Sequence, residues 1–369
     1  MKKSKLTRFL AITCALVTLI SSTTNSLAVN PIGQTKADTL ESYKITQRQR
    51  DILMSLGVKE NEVDSLTPKE IGKLLANGQI VNYNYISKYL PTPQEMQADY
   101  NNYQNQVKRI VQKFPEAYLN SEEVERILKS SMMSPDDFLS LSQPQVANIT
   151  QKSLVAQRVA IDTKKYTYFE RGTNKLKYYA DSSCNIHRNT LSTAYARNAT
   201  SAHYKEMNNN VACARAIGNI LFDETIPINS TSQYSYGLWG DFYTSAGGAH
   251  QGIDYTLGEG TDVYAVAPGN VVAVEYYRGG YTVTVENTTH GIRYIYMHLK
   301  NIPSAIKVGK YISGRTHIGK QGRYTYGNDD NSHVHFEVTT DLTRTQGHSN
   351  TTNNVYSANP YVAGLYFAN

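Results

Sequence analysis

Apolar positions along this chain follow three successive patterns. The first is a single run: Phe9 to Ile20 is an apolar stretch of twelve behind a head carrying Lys2, Lys3, Lys5 and Arg8. Ser26-Leu27-Ala28 then places small residues where a signal peptidase reads. The pattern predicts a secretory signal peptide over 1–28, too short for a spanning helix. The second pattern has a helical period. Ile52, Leu53, Leu56, Val63, Leu66, Ile71, Leu74 and Leu75 suit two short amphipathic helices, ended by Asn77-Gly78. Thr92-Pro93-Gln94-Glu95 is a helix start, with Thr as N-cap, Pro in the first turn and Glu reaching back. Met96, Tyr100, Tyr103, Val107, Ile110 and Phe114 continue it as one stripe that Pro115 closes. The third pattern, from about residue 236, has a period of two and frequent glycines. "TDVYAVAPGNVVAVEYY", "YTVTVEN", "IRYIYMHL", "VGKYISGRTHIGKQG" and "SHVHFEVTT" read as short strands, with a hairpin at Gly279-Gly280 and a turn over 288–291.

The helical part contains a weak internal repeat. "ILMSLGVKENEVDSLTPKEI" at 52–71 aligns without gaps to "ILKSSMMSPDDFLSLSQPQV" at 127–146. Each copy reads as helix, acidic turn, helix. Two meanings stay open: a pair of interaction modules or a pro-region covering an active site, or a plain helical bundle with two similar hairpins. Between helices and strands, residues 156–235 are mixed. "KKYTYFERG" and "NKLKYYADSS" suggest two strands around Gly172-Thr173-Asn174, and "NNNVACARAIGNILF" suggests a helix. The expected fold is α+β, an antiparallel C-terminal sheet preceded by a mainly helical region. The expected division is 1–28 signal peptide, 29–155 helical, 156–235 connecting, and 236–369 the β domain with its tail.

Composition narrows the function classes. The formal charge is +6. Removing the four basic residues of the first 28, which hold no acidic ones, lowers it to +2. That is too weak to argue for a nucleic-acid partner. The mature part has no apolar stretch of membrane-spanning length, and oligomeric state is left open. Of the three cysteines, Cys14 lies in the signal, which leaves Cys184 and Cys213. In an exported chain that even pair suggests a disulfide, against the alternative of two thiols.

Nine histidines are present, and four of them lie where chemistry can be built. Side chains at i and i+2 of a strand share a face, so His333 and His335 point the same way. By the same rule Tyr294, Tyr296 and His298 share a face of an earlier strand. Upstream, "GGAHQGIDY" adds His250 and Asp254. His187 and His203 have no partner at ligand spacing and read as surface or structural residues; His290, in a turn, and His317 and His348, which match no motif position, read as surface residues.

"H250-QGI-D254", "Y296-M-H298-L" and "H333-V-H335-FE", in that order, resemble the three motifs of the lysostaphin-type (LytM-like) zinc metallopeptidases, exported enzymes that cut peptidoglycan peptides. "GTDVYAVAPGNVV", "VGKYISGRTHIGKQG" and Asn359-Pro360 are similar to the family's connecting and closing segments. The likeness covers about 236–365. One departure is "GRYTYGNDDNS", which replaces the glycine-rich loop before the last motif and edges the cleft. The resemblance implies one Zn²⁺ held by His250, Asp254 and His335. Such a donor set suits zinc and leaves a fourth position open. It implies that His298 and His333 handle the attacking water and the oxyanion. No HExxH is present. Glu337 is either a hydrogen-bond partner of a ligand histidine or an ordinary strand-end carboxylate. Tyr294 and Tyr296 either line the cleft or pack. The implied function is a secreted, wall-associated zinc endopeptidase acting on bacterial peptidoglycan. The alternatives are a non-catalytic regulator of other wall hydrolases, or a zinc peptidase acting on proteins.

Overall fold

In the helical region, three helices start on threonines that cap them in the same way. The structure is a computed structural model that describes residues 44–78, 80–131, 133–157, 166–170, 175–179, 201–223, 239, 242–243, 248–326, 329–347 and 358–368. The signal segment therefore lies outside the described residues. Thr46 starts α1 (Gln47–Ser55), Thr67 starts α2 (Pro68–Asn77) and Thr92 starts α3 (Pro93–Lys113), each through a reciprocal bond with Gln49, Glu70 or Glu95. α4 (Ser121–Ser131), α5 (Pro135–Leu139) and α6 (Gln143–Gln157) follow.

The sequence repeat is a structural one. Ile52, Leu53, Val63 and Ile71 of the first copy are buried, and so are their counterparts Ile127, Leu128, Phe138 and Val146. Thr67 pairs with Glu70 at the start of α2, and Ser142 pairs with Gln145 at the start of α6. The two copies pack differently. The first shares one apolar core with the C-terminal domain, whereas the second forms a separate core with α3 around Tyr103, Val107, Ile110 and Phe114.

β1 (Tyr166–Glu170) and β2 (Lys175–Tyr179) form the expected hairpin, and α7 (Ser201–Leu221) is the expected helix. Cys213 on α7 is a free, buried cysteine. The expected disulfide is not found among the described residues, and Cys184 lies outside them. Burial pushes the Cys213 thiol up to about 12, so it behaves as a small apolar side chain.

The C-terminal strands are β3 (Phe242–Tyr243), β4 (Gly248–Ala249), β5 (Gly252–Tyr255), β6 (Asp262–Tyr264), β7 (Gly269–Tyr277), β8 (Gly280–Asn287), β9 (Ile292–Lys300), β10 (Tyr311–Ile312), β11 (His317–Gln321), β12 (Tyr324–Tyr326), β13 (Asp329–Asn331) and β14 (Val334–Thr339). All their pairings are antiparallel. The main sheet runs β10-β7-β8-β9-β11-β6, with β14 between β9 and β5. One edge of β9 pairs with β8 throughout. Its other edge pairs first with β14, as far as Met297, and then with β11 from Leu299 onward. His298 sits at that fork. The chain closes with α8 (Pro360–Tyr366), capped by Asn359.

α8 ties the helices to the sheet. The Asn359 backbone N–H donates to the Ala76 carbonyl at 3.1 Å and its side chain to the Gly78 carbonyl at 3.1 Å. Arg48 Nε donates to the Leu365 carbonyl at 3.2 Å. Gly72 of α2 lies against the turn after β8: a Cβ there would stand 1.8 Å from the His290 carbonyl oxygen. His290 is therefore a buried residue rather than a surface one, packed edge-on to Tyr366 and Phe367. The turn in which it sits is covered by helices that are remote in sequence. Among the described residues no helix is long and apolar enough to cross a membrane.

Candidate metal centre

Register brings together three side chains that could hold a metal ion. Asp254 on β5 lies directly opposite His335 on β14. Opposite residues in an antiparallel pair share a face, and so do i and i+4 along a strand. His250, just before β5, therefore joins Asp254 and His335. The atoms converge: His335 Nδ1 is 2.9 Å from Asp254 Oδ1, His250 Nε2 is 3.0 Å from His335 Nδ1, and His250 Nε2 is 3.2 Å from Asp254 Oδ1. All three residues are buried.

That triangle fits a small cation. A tetrahedral zinc with bonds of about 2.0–2.1 Å holds its ligand atoms about 3.3 Å apart. The donor chemistry agrees, since two imidazoles and a carboxylate form a borderline-soft set. Burial opposes ionisation of Asp254, yet His250 and His333 beside it and bonds from His250 and His335 hold it well below the usual carboxylate range. Burial also opposes charge on His335, but Asp254 and Glu337 push it up to about 9. The corner therefore favours positive charge.

Gly252 makes the packing possible. A Cβ at Gly252 would lie 2.4 Å from the Phe336 carbonyl oxygen and 2.8 Å from His335 Nε2. The imidazole of His335 occupies the space a side chain would take. Its Nε2 lies 3.4 Å from Glu337 Oε2, so Nδ1 faces the ligand cluster and Nε2 faces a buried carboxylate. This is the orienting arrangement common around metal-bound histidines.

His298 and His333 line the neighbouring side, with ring centroids 4.6 Å apart. His333 Nε2 is 3.7 Å from Asp254 Oδ1, and the His298 ring lies 6.3 Å from that of His335. His298 arrives there by breaking the strand's alternation. Tyr281 pairs with Leu299 and Val283 with Tyr296, so Met297 and His298 together oppose one residue, which is a β-bulge. His298 has φ +63°, a left-handed conformation unusual for a side chain this size. The bulge turns its ring onto the His335 face. The shared face expected for Tyr294, Tyr296 and His298 is therefore corrected. Tyr296 opposes Phe336, and both tyrosines are fully buried with it on the other side of the sheet. Tyr296 is a core residue, not a cleft residue, and its hydroxyl accepts from the Val266 backbone N–H at 2.9 Å.

Burial, then the neighbouring His333 and His335, push His298 far below the usual histidine range; burial pushes His333 down to about 4. Both rings are thus neutral near pH 7. The Nδ1 atoms of both are buried with no hydrogen-bond partner among the described residues. Buried polar atoms rarely stay unmatched, so this pair is poised to bond something that enters the site.

Other histidines stand apart. His317 is half-buried, 3.2 Å from Asp262. His187, His348 and the side chain of His203 lie outside the described residues. The residues missed in the sequence are glycines that press on the site. A Cβ at Gly280 would stand 2.6 Å from His298 Cα, and one at Gly322 would stand 2.7 Å from the His298 carbonyl oxygen.

Residues 248–350 match peptidase family M23. They form an M23 domain. The match begins just before His250 and extends past the end of β14. An uncharacterized metalloprotease of Buchnera aphidicola subsp. Baizongia pistaciae is 32% identical over 98 residues, 26% of this chain and 24% of the relative. The chain thus spans about a quarter of that relative's length. Among solved structures, the catalytic domain of lysostaphin from Staphylococcus simulans is 28% identical, covering 35% of this chain and 89% of that one, with a TM-score of 0.28. A zinc-containing peptidase from Vibrio cholerae is 26% identical, covering 24% of this chain and 26% of the other, with a TM-score of 0.22. In this M23 domain the five polar site residues come from β5, β9, β14 and the residues that immediately precede β5 and β14.

Proposed function

We propose that this chain is an exported zinc metalloendopeptidase that hydrolyses peptide bonds in bacterial peptidoglycan. The observation that carries the reading is the convergence of His250 Nε2, Asp254 Oδ1 and His335 Nδ1 within 3.2 Å, beside two neutral histidines, inside an M23 domain. The Buchnera relative, a metalloprotease, supports the same class of chemistry. Export rests on the basic head, the apolar run and Ser26-Leu27-Ala28.

One zinc ion bound by the three ligands would act as a Lewis acid on a carbonyl oxygen and a water. The chain's own groups divide the remaining work. Asp254 supplies the anionic ligand, and Glu337 fixes the orientation of His335 by accepting from Nε2–H. His298 and His333 are neutral rings with unmatched nitrogens. In the neutral form each ring offers one acceptor and one donor. One takes the proton of the attacking water and the other donates to the carbonyl oxygen as charge develops there. The dry surroundings strengthen both interactions.

Digestion of purified peptidoglycan, with casein in parallel, tests the reading. New amino termini should appear from the wall and disappear with a chelator. Cleavage of casein alone would move the substrate class to proteins. A zinc-loaded protein that cuts neither would leave a non-catalytic role.

A further inference from the structure

We propose that Gln321 and Ser332 are positioning residues that set the spacing of His298 and His333 through one chain of hydrogen bonds. This rests on the peptidase reading above and deepens it.

Gln321 is the last residue of β11 and is fully buried. Burying an amide costs desolvation that an apolar side chain of the same length would avoid. Both ends of this amide are matched. Oε1 accepts from the backbone N–H of Leu257 at 3.0 Å and of Gly258 at 3.3 Å, just past β5. Nε2 donates to Ser332 Oγ at 2.9 Å. The Ser332 hydroxyl donates in turn to the Gly322 carbonyl at 2.8 Å. The Gly322 backbone N–H donates to the His298 carbonyl at 2.8 Å. The direction of every bond is forced, because backbone N–H groups only donate and carbonyls only accept.

Both histidines hang on this chain. Ser332 is the residue before His333, and Gly322 is bonded to His298. Between them lies the fork where β9 leaves β14 for β11. Gln321 pairs with Leu299 on one side of the fork, and Ser332 leads into β14 on the other. The Gln321–Ser332 bond therefore closes the fork behind His298. His298 has a left-handed backbone there, a conformation that persists only where the surroundings impose it. The chain runs to His298 and His333 rather than to the candidate ligands His250, Asp254 and His335. A shift of about 1 Å in a positioned group can cost about a hundredfold in rate. Loss of one link should thus reach turnover before it reaches metal binding.

The test uses the full zinc-loaded chain and soluble peptidoglycan fragments, well below the melting temperature. S332A removes the middle link, and S332T keeps the hydroxyl. Q321M keeps the side-chain length and breaks the bonds at both ends. S332A should keep stoichiometric zinc and its KM while kcat falls by about 10- to 100-fold. S332T should restore most of that loss. Amide hydrogen exchange at Gly322 should be about tenfold faster in S332A than in wild type, and close to wild type in S332T. Q321M should match S332A in kcat. If Q321M does not fold, S332A decides alone, because Ser332 is only half-buried. An unchanged kcat in S332A, or loss of zinc together with turnover, would overturn the positioning role. Wild type that cuts neither peptidoglycan nor casein would instead overturn the peptidase reading. Exchange at Gly322 would then still decide whether Ser332 holds His298, and an unchanged rate would overturn the chain of bonds itself.

Discussion

His335 uses both ring nitrogens: Nδ1 faces Asp254 and His250, and Nε2 faces Glu337. His298 and His333 bond none of these atoms as closely, and their own Nδ1 atoms are unmatched. The two groups should therefore separate under mutation. His250→Ala and Asp254→Ala should lose zinc and turnover together. His298→Ala and His333→Ala should keep stoichiometric zinc while turnover falls by about 10²–10⁴-fold, the usual worth of a positioned acid or base. Metal analysis beside peptidoglycan digestion reads both, and full turnover in His298→Ala would end its assigned role. At this scale His333 and His335 are legible in the sequence because period-two alternation is a local rule. The face of His298 is not, because it depends on a bulge at the fork where β9 leaves β14 for β11. The same bulge removes Tyr296 from the cleft. The only local hints of it are Gly280 and Gly322, whose missing side chains make room for His298.

Helix starts were legible at the scale of elements, since a capping box is written within four residues. Thr92 forms the box read from the sequence, and Thr46 and Thr67, which that reading passed over, form the same box. The repeat was legible too, because its buried positions coincide. Which surface each copy covers was not, since that is decided by partners far along the chain. Gly72 shows the difference. Its first-copy helix lies so close to the His290 turn that any Cβ collides with backbone, which cannot swing aside as a side chain can. Gly72→Ala should destabilise the protein by about 1–3 kcal/mol or more, the range for overpacking, despite alanine's better helix propensity. Urea unfolding measures it; an unchanged midpoint would mean that α2 does not dock there. The same junction should respond to acid. Burial pushes His290 from its ordinary 6.5 down to about 4. Between those values the unfolded chain binds a proton that the folded chain does not. Stability from this group is complete above pH 6.5 and falls as pH drops toward 4, by up to about 3 kcal/mol. His290→Phe keeps an apolar ring against Phe367 and removes the titration. Its stability should change less between pH 7 and pH 4.5 than that of wild type, and equal changes would exclude His290 as a source.

At the largest scale, Ile45–Asn369 is one compact unit. The M23 match covers less than a third of the chain, yet the core around that domain is assembled from well outside it. Ile52 and Leu53 of α1, Ile71 and Leu75 of α2, and Ile217 and Leu221 of α7 are all buried in the core that holds Tyr255, Phe336 and Tyr366. The Tyr255 hydroxyl donates to the Ala214 carbonyl at 2.8 Å, and its ring meets Phe222 edge-on at 6.0 Å. Tyr255 directly follows Asp254 of the candidate metal cluster, so these contacts support the candidate site itself. A chain cut to begin near Tyr234 would keep the M23 domain and lose all six of those side chains. At about 1.5–3 kcal/mol for each buried aliphatic side chain, the loss is about 10 kcal/mol or more. A domain's whole stability is only about 5–15 kcal/mol. The shortened chain should therefore lack cooperative unfolding and aggregate, exposing the α8 surface that α1, α2 and α7 cover. A monodisperse species with a sharp melt would overturn this. In that case the first helical copy would be a detachable cover, and comparing rates with and without it would become a direct test of inhibition. If the shortened chain fails to fold, any regulation by the helical region must instead be sought in the second copy, whose core around α3 is separate from that of the catalytic domain.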